Sequence, residues 1–156
     1  MSEVFDASVL AAKLPGTWSV VATNFPMWLD GTRHNPEFSY ELVAGDGLIL
    51  DDTVSFTTSG GEAKTILGTD RLQGDEFVWR GQGWKRIVSS RWQVVGADDN
   101  FNTLVIRFSR SRLTPSGIDI LTRKGFGNPA VRSAVAHATD SFGLSAEDFA
   151  SLTWMS

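Results

Sequence analysis

Apolar and polar residues alternate through most of the chain up to residue 122, the pattern of strands with one buried face. In the first such segment, Trp18, Val20 and Ala22 share one face, and Thr17 and Ser19 lie on the other. Eight segments with strand character occur at intervals of roughly ten residues: 17–25, 38–43, 48–57, 64–71, 76–82, 86–96, 101–109 and 117–122. Most are separated by short Gly-, Asp- or Asn-rich turns. This series predicts an antiparallel meander that forms a barrel or a sandwich.

The spacing of the apolar residues changes after the eighth segment, from a period of two residues to a period of about 3.6 residues. Asn128 and Pro129 are typical of a helix start, and Gly143 is typical of a helix end. We therefore predict a single domain with these parts: N-terminal arm 1–14, barrel 16–123, helix 128–142 and short strand 151–155.

The composition excludes several classes of function. The net charge is −4 and basic residues form no long run, so neither nucleic acid nor stable membrane insertion is expected. The chain has no Cys, which removes disulfides, thiolate metal sites and Cys nucleophiles. The two histidines, His34 and His137, are far apart in sequence, so we expect no metal site and no cofactor. Residues 1–16 lack the features of a secretory signal, and we expect a cytoplasmic protein.

Three short motifs favour a closed barrel over a sandwich. Gly16-Thr17-Trp18 opens the first strand, Asp98 and Phe101 flank the turn before the seventh, and Arg123 follows the eighth. The chain resembles the lipocalin family, whose signature regions are a Gly-x-Trp, an Asp-x-x-aromatic turn and a closing Arg. Residues 120–154 look particularly similar to bacterial lipocalins related to apolipoprotein D. The resemblance implies an all-β protein with one C-terminal helix and an eight-stranded antiparallel up-and-down β-barrel.

The resemblance also implies that one end of this barrel is closed. The residues expected to close it are Gly16, Trp18, Asp98, Phe101 and Arg123. The guanidinium of Arg123 can stack on the Trp18 ring while it bonds to nearby carbonyls, a contact that contributes about 0.5–2 kcal/mol when shielded from water. These five residues are predicted to be structural.

Seventeen aromatic residues, six of them Trp, indicate either a wide interior that must be filled or a cavity that must be lined. The candidate wall aromatics are Phe38, Tyr40, Phe56, Trp79, Trp84 and Trp92. Loop 26–36 is a candidate lid, in which Trp28 is either a ligand gate or a plug and His34 either contacts ligand or is solvated.

Two charged residues inside strands, Arg107 and Asp119, could pair across the seventh and eighth strands. An inward-facing pair would suit the head group of a ligand, with Arg107 as its anchor, whereas an outward-facing pair would be an ordinary surface contact. The sequence leaves both arrangements open.

The sequence as a whole favours a binding protein for a small hydrophobic molecule, such as a fatty acid, an isoprenoid or an aromatic metabolite. It would act as a monomer or homodimer. The alternative is a barrel enzyme, an isomerase or cyclase for an apolar substrate, with Tyr40, Asp52 or His34 as its acid. An interaction module that uses Trp28 is a third possibility. No nucleophile motif or carboxylate dyad is recognised, so we assign no catalytic residue.

Overall fold

Eight antiparallel strands follow one another in the computed structural model, which describes residues 5–82, 89–110, 116–126 and 130–155. The strands are β1 Gly16–Thr23, β2 Arg33–Val43, β3 Ile49–Thr58, β4 Ala63–Gln73, β5 Glu76–Gly81, β6 Ser89–Ala97, β7 Thr103–Phe108 and β8 Gly117–Arg123. Each strand pairs with the next, and β1 pairs with both β2 and β8, so the sheet closes on itself. The predicted eight-stranded up-and-down barrel is confirmed.

Four short helices and a ninth strand complete the described chain: α1 Ala7–Lys13, α2 Pro26–Leu29, α3 Val131–His137, α4 Ala146–Ala150 and β9 Thr153–Trp154. The first lies in the predicted arm and is capped by Asp6, whose side chain accepts a hydrogen bond from the backbone N–H of Val9. Loop 26–36 contains α2 and the start of β2. The predicted helix 128–142 corresponds to α3, which is shorter than predicted and ends at residue 137. Its proposed start at Asn128 and Pro129 lies outside the described residues, as do residues 86–88 of the sixth predicted strand.

The first strand is shared between three neighbours. One edge of β1 pairs with β8 along most of its length, with an irregularity between Val20 and Ala22. The other edge pairs first with β2, over residues 16–19, and then with β9, over residues 22–23. The C-terminal strand therefore covers the part of β1 from which β2 has diverged.

The apolar residues form two separate clusters on the two faces of the barrel wall. The inner cluster lies inside the barrel and includes Trp18, Phe77 and Trp92. The outer cluster lies between the wall and the C-terminal segment and includes Val135 and Phe142. Because β7 and β8 contribute to both clusters, their residues are almost all buried and show no alternation of burial.

The outer cluster depends on a close approach at Gly96 of β6. A Cβ at this position would lie 2.2 Å from the Cα of Phe142. We expect Gly96→Ala to lower the free energy of unfolding by about 1–3 kcal/mol, the usual effect of an overpacked contact. Urea denaturation measures this change. Gly60→Ala is the matched control, because a Cβ there meets nothing closer than 3.8 Å. Equal midpoints for the two variants would show that the C-terminal segment is not docked on β6.

Candidate ligand-binding site

The barrel is closed at the end where β1 begins and β8 ends. Trp18 is fully buried there, and its Nε1–H donates to the carbonyl of Leu14, 3.0 Å away. The Arg123 guanidinium lies 4.0 Å from the centroid of the Trp18 ring and donates to the carbonyls of Pro15 and Lys13. The Trp18 ring of β1 thus contacts both Arg123 of β8 and the end of the N-terminal arm at Leu14.

Glycine is required beside this contact. Gly16 has a φ of +129°, and a Cβ there would lie 2.7 Å from Nη1 of Arg123. Any other side chain would therefore strain the backbone and displace the guanidinium.

The turn between β6 and β7 also belongs to the closed end. The Asp98 carboxylate accepts hydrogen bonds from the backbone N–H groups of Asn102, at 2.8 Å, and Thr103, at 3.0 Å. Phe101 is buried and packs edge-on against Phe5 with the ring centroids 5.6 Å apart. The structure thus brings together all five residues that were predicted to close the barrel.

A stack of three aromatic rings crosses the interior. Trp92 of β6 stacks on Phe77 of β5 and on Tyr40 of β2, with centroids 4.5 Å and 5.5 Å away. The Nε1–H of Trp92 donates to Oδ1 of Asp70, at 3.0 Å. The orientation of the stack is therefore fixed by a buried carboxyl.

The opposite end of the barrel is covered by α2. Trp28 is 5% exposed and packs on Phe38 and Phe56, with centroids 6.4 Å and 5.9 Å away. It is folded down over the interior, the position of a plug or of a closed gate. Phe56 and Trp79 are half-buried, so the wall aromatics become accessible toward this end. Trp84 lies outside the described residues.

A groove of about 590 Å³ runs along the outside of the seam between β1, β2, α2 and β9. Trp28 lines it from within, and His34 lines it as an exposed residue of β2. His34 is thus on the outer surface near the lid and not inside the barrel.

Three carboxyl groups are buried inside the barrel. Asp52 of β3, Asp70 of β4 and Asp119 of β8 are 6%, 0% and 1% exposed. Asp52 and Asp70 lie close enough to influence each other's pKa. The sequence pattern alone did not single out this pair. The sequence did carry a signal, because Asp52 lies in phase with Leu50 and Val54 of the inner cluster.

Burial makes these groups weaker acids. It raises the pKa of Asp52 to about 6 and the pKa of Asp119 to about 7, and in the latter the Thr23 hydroxyl partly opposes the shift. Burial, together with the charge of Asp52, raises the pKa of Asp70 well above its usual range. The same desolvation, reinforced by the three carboxyls, raises the pKa of Tyr40. Asp70 and Tyr40 therefore keep their protons to higher pH than exposed Asp and Tyr side chains do.

Arg107 does not face the interior. Asp119 lies opposite Ile106 on the inner face, whereas Arg107 lies opposite Ile118 and points outward. Its Nη2 donates to Oδ2 of Asp148 in α4, at 2.8 Å. The prediction of Arg107 as a ligand anchor was wrong, and the supposed pair with Asp119 is offset by one residue.

Among the residues that the structure describes, no helix is long and apolar enough to cross a membrane. In the same residues, no group of three or more His, Asp or Glu side chains could hold a metal ion.

Comparison with solved structures identifies the type of barrel. No family model matches the sequence, and no curated protein matches it either. Lobster apocrustacyanin A1 is 11% identical, with a TM-score of 0.62, and the match covers 99% of this chain and 86% of that chain. A siderocalin described as having dual ligand specificities is 12% identical, with a TM-score of 0.61 and coverages of 92% and 93%. A biogenic amine-binding protein is 12% identical, with a TM-score of 0.64 and coverages of 97% and 81%. These likenesses extend over nearly the whole chain and concern the fold.

Proposed function

We propose that this lipocalin-like barrel binds a small, largely apolar molecule in its interior. The proposal rests on the difference in side-chain exposure between the two ends of the barrel. One end is sealed by Trp18 and Arg123, whereas toward the other end the wall aromatics become accessible. Apolar walls with a few convergent polar groups are typical of small-molecule sites. The names of two structural neighbours, the siderocalin and the amine-binding protein, support a ligand-binding role.

An aromatic ligand fits the interior better than a fatty acid. The stack of Tyr40, Trp92 and Phe77 offers flat faces to an aromatic body. A fatty acid would bring its own carboxylate toward Asp52, Asp70 and Asp119, and like charges at short range repel.

Trp28 acts as the gate in this proposal. Its ring packs on two neighbouring aromatics, and the helix that carries it, α2, has four residues and no side-chain cap. A ligand that enters would replace Trp28 on Phe38 and Phe56. We further propose a cytoplasmic location for the protein, and a monomeric or homodimeric state.

Native mass spectrometry tests the binding function. Protein purified without added ligand is compared with its denatured mass, and we expect a bound species of a few hundred daltons. Trp28→Ala should reduce the occupied fraction, because the cover over Phe38 and Phe56 is lost. Trp154→Ala is the control, since Trp154 packs in the outer cluster. An empty wild-type barrel that also takes up none of a panel of small apolar probes would exclude the function.

The pair of carboxyls favours a second candidate, an enzyme that moves a proton on an apolar substrate. Two carboxyls that share a proton can serve as acid and base. Turnover of a bound compound that is lost in Asp52→Asn, with binding retained, would distinguish this function from simple binding.

A further inference from the structure

We propose that Asp52 and Asp70 recognise the positively charged nitrogen of a small organic amine held in the barrel, an inference that rests on the binding function proposed above. The two carboxyls come from the neighbouring strands β3 and β4, where Asp52 is paired with Gly68 and Asp70 with Leu50. Each keeps one buried oxygen without a hydrogen-bond partner, Oδ1 of Asp52 and Oδ2 of Asp70. The other oxygen of Asp70 is held by Trp92. Two buried carboxyl oxygens, one of them on a side chain oriented by Trp92, are thus left without a donor from the described residues.

A third carboxyl is buried on the inner face of β8. Asp119 is 1% exposed, and neither of its oxygens has a hydrogen-bond partner of standard geometry among the described residues. Its charge, like those of Asp52 and Asp70, raises the pKa of Tyr40. A buried polar group without a partner is costly, and three in one interior call for a donor or a cation.

No such cation is present in the described part of the chain. Every Lys and Arg side chain there is at least partly exposed, and the Arg123 guanidinium donates hydrogen bonds to the carbonyls of Pro15 and Lys13. An ammonium group supplies up to three N–H donors and a positive charge, and the faces of Tyr40 and Trp92 attract the same charge. The interior therefore complements an amine both by hydrogen bonding and by charge.

The arrangement suits an organic cation better than a metal ion. The three carboxyls do not converge into a group that could hold a metal among the described residues. An amine on an apolar body needs only one or two of them at a time, while its body lies on the aromatic wall.

Trp79 of β5 lies beside the pair. Asp70 lies directly opposite Trp79, which is half-buried. The Trp79 indole lies over Gly68, where a Cβ would come within 2.2 Å of its Nε1. Gly68 is also the cross-strand neighbour of Asp52, so this ring packs next to the positions of both carboxyls.

Binding of an amine should strengthen as the pair ionises. The titratable groups beside Asp52 are Tyr40, its cross-strand partner on β2, and Asp70 of β4. Tyr40 stays neutral because its pKa is raised, and the pKa of Asp70 is raised well above its usual range. With a pKa of about 6, Asp52 is roughly one-tenth ionised at pH 5 and nine-tenths at pH 7, so the affinity should rise about tenfold between these values.

Calorimetric titration with two matched probe sets tests the proposal. The first set is 2-phenylethylammonium, 2-phenylethanol and 3-phenylpropanoate; the second is octylammonium, octanol and octanoate. We expect the ammonium member of at least one set to bind about tenfold more tightly than the alcohol at pH 7, the usual effect of a hydrogen bond to a charged partner. The carboxylate should bind most weakly. Asp52→Asn should abolish the ammonium preference and its pH dependence, and Asp70→Asn is a second variant of the same pair.

Asp51→Asn is the matched control, because Asp51 is the exposed neighbour of Asp52 on the outer face of β3. It should leave the ammonium preference unchanged. Alcohols that bind as tightly as the amines, or an ammonium preference that survives in Asp52→Asn, would overturn the proposal and leave the binding function intact. A barrel that binds no member of either set, and is empty by native mass spectrometry, would overturn both.

Discussion

Trp18→Ala is expected to lower the free energy of unfolding by about 3–5 kcal/mol, the range for large aromatic residues in a core. Trp18 is fully buried at the closed end. Its removal leaves a cavity under α1, frees the Leu14 carbonyl from its hydrogen bond and takes away the ring on which Arg123 stacks. A loss of this size is a large share of the total stability of a typical domain.

Urea denaturation followed by circular dichroism measures this loss. Trp154→Ala, which removes a half-buried Trp of the outer cluster, is the control and should cost less. If Trp18→Ala does not fold, Trp18→Phe still reports on the contact, because it keeps an apolar ring and loses the Nε1–H donor. A midpoint for Trp18→Phe equal to that of the wild type, with Trp18→Ala no worse than the control, would contradict the assigned closure.

Asp119→Asn is expected to stabilise the barrel at neutral pH and to leave it almost unchanged in acid. The pKa of Asp119 rises from 3.8 to about 7 on folding, chiefly because of burial. Between these values the folded chain retains a proton that the unfolded chain has released, so the free energy of unfolding falls as the pH rises. About three pH units at 1.36 kcal/mol each correspond to about 4 kcal/mol. The full contribution is present below pH 3.8 and is lost by about pH 7.

Urea midpoints of the wild type and Asp119→Asn, measured from pH 4 to pH 8, test this expectation. Asp52 and Asp70 contribute in the same direction in both proteins, so the difference between the two curves reports on Asp119 alone. Asp99→Asn, at an exposed turn position, is the control. Parallel curves for wild type and Asp119→Asn would show that the Asp119 carboxyl is solvated in the folded protein.

Alternation along the strands was enough to predict an antiparallel meander, because most strands have one face in the core and the other in solvent, and the three motifs favoured a barrel over a sandwich. It failed where the wall is buried on both faces. In β7 and β8 almost every residue is buried, so the sequence offered no phase, and the partner of Asp119 was misplaced by one residue. The irregularity between Val20 and Ala22 is likewise a tertiary feature, at the point where β2 leaves β1 and β9 takes its place.

The sequence predicted only part of what the interior contains. Phe38, Tyr40 and Trp92 were expected at inward positions because large apolar side chains are the usual content of a barrel, and all three lie in the inner cluster. Asp52 and Asp70 were passed over as an acidic pair, because an acidic residue in a strand is normally assigned to the solvent face. Their phase relative to Leu50 contradicts that assignment, so a carboxyl at an inward position was the available signal. The length of α3 was not predictable from the sequence, because the helix ends at residue 137 and the chain beyond it packs Phe142 against Gly96, which is a tertiary contact.

The shared edge of β1 has a consequence for how the chain is made. Two of the three partners of β1, β8 and β9, are about a hundred residues or more away along the chain. During synthesis, β1 leaves the ribosome before β8 and β9, so the nascent chain carries an unfinished sheet edge until both have been made. Contacts of such long sequence separation slow folding, and an open edge is a template for pairing with other chains. Pairing of β1 with β8 and β9 therefore removes a site at which the nascent polypeptide is prone to aggregation.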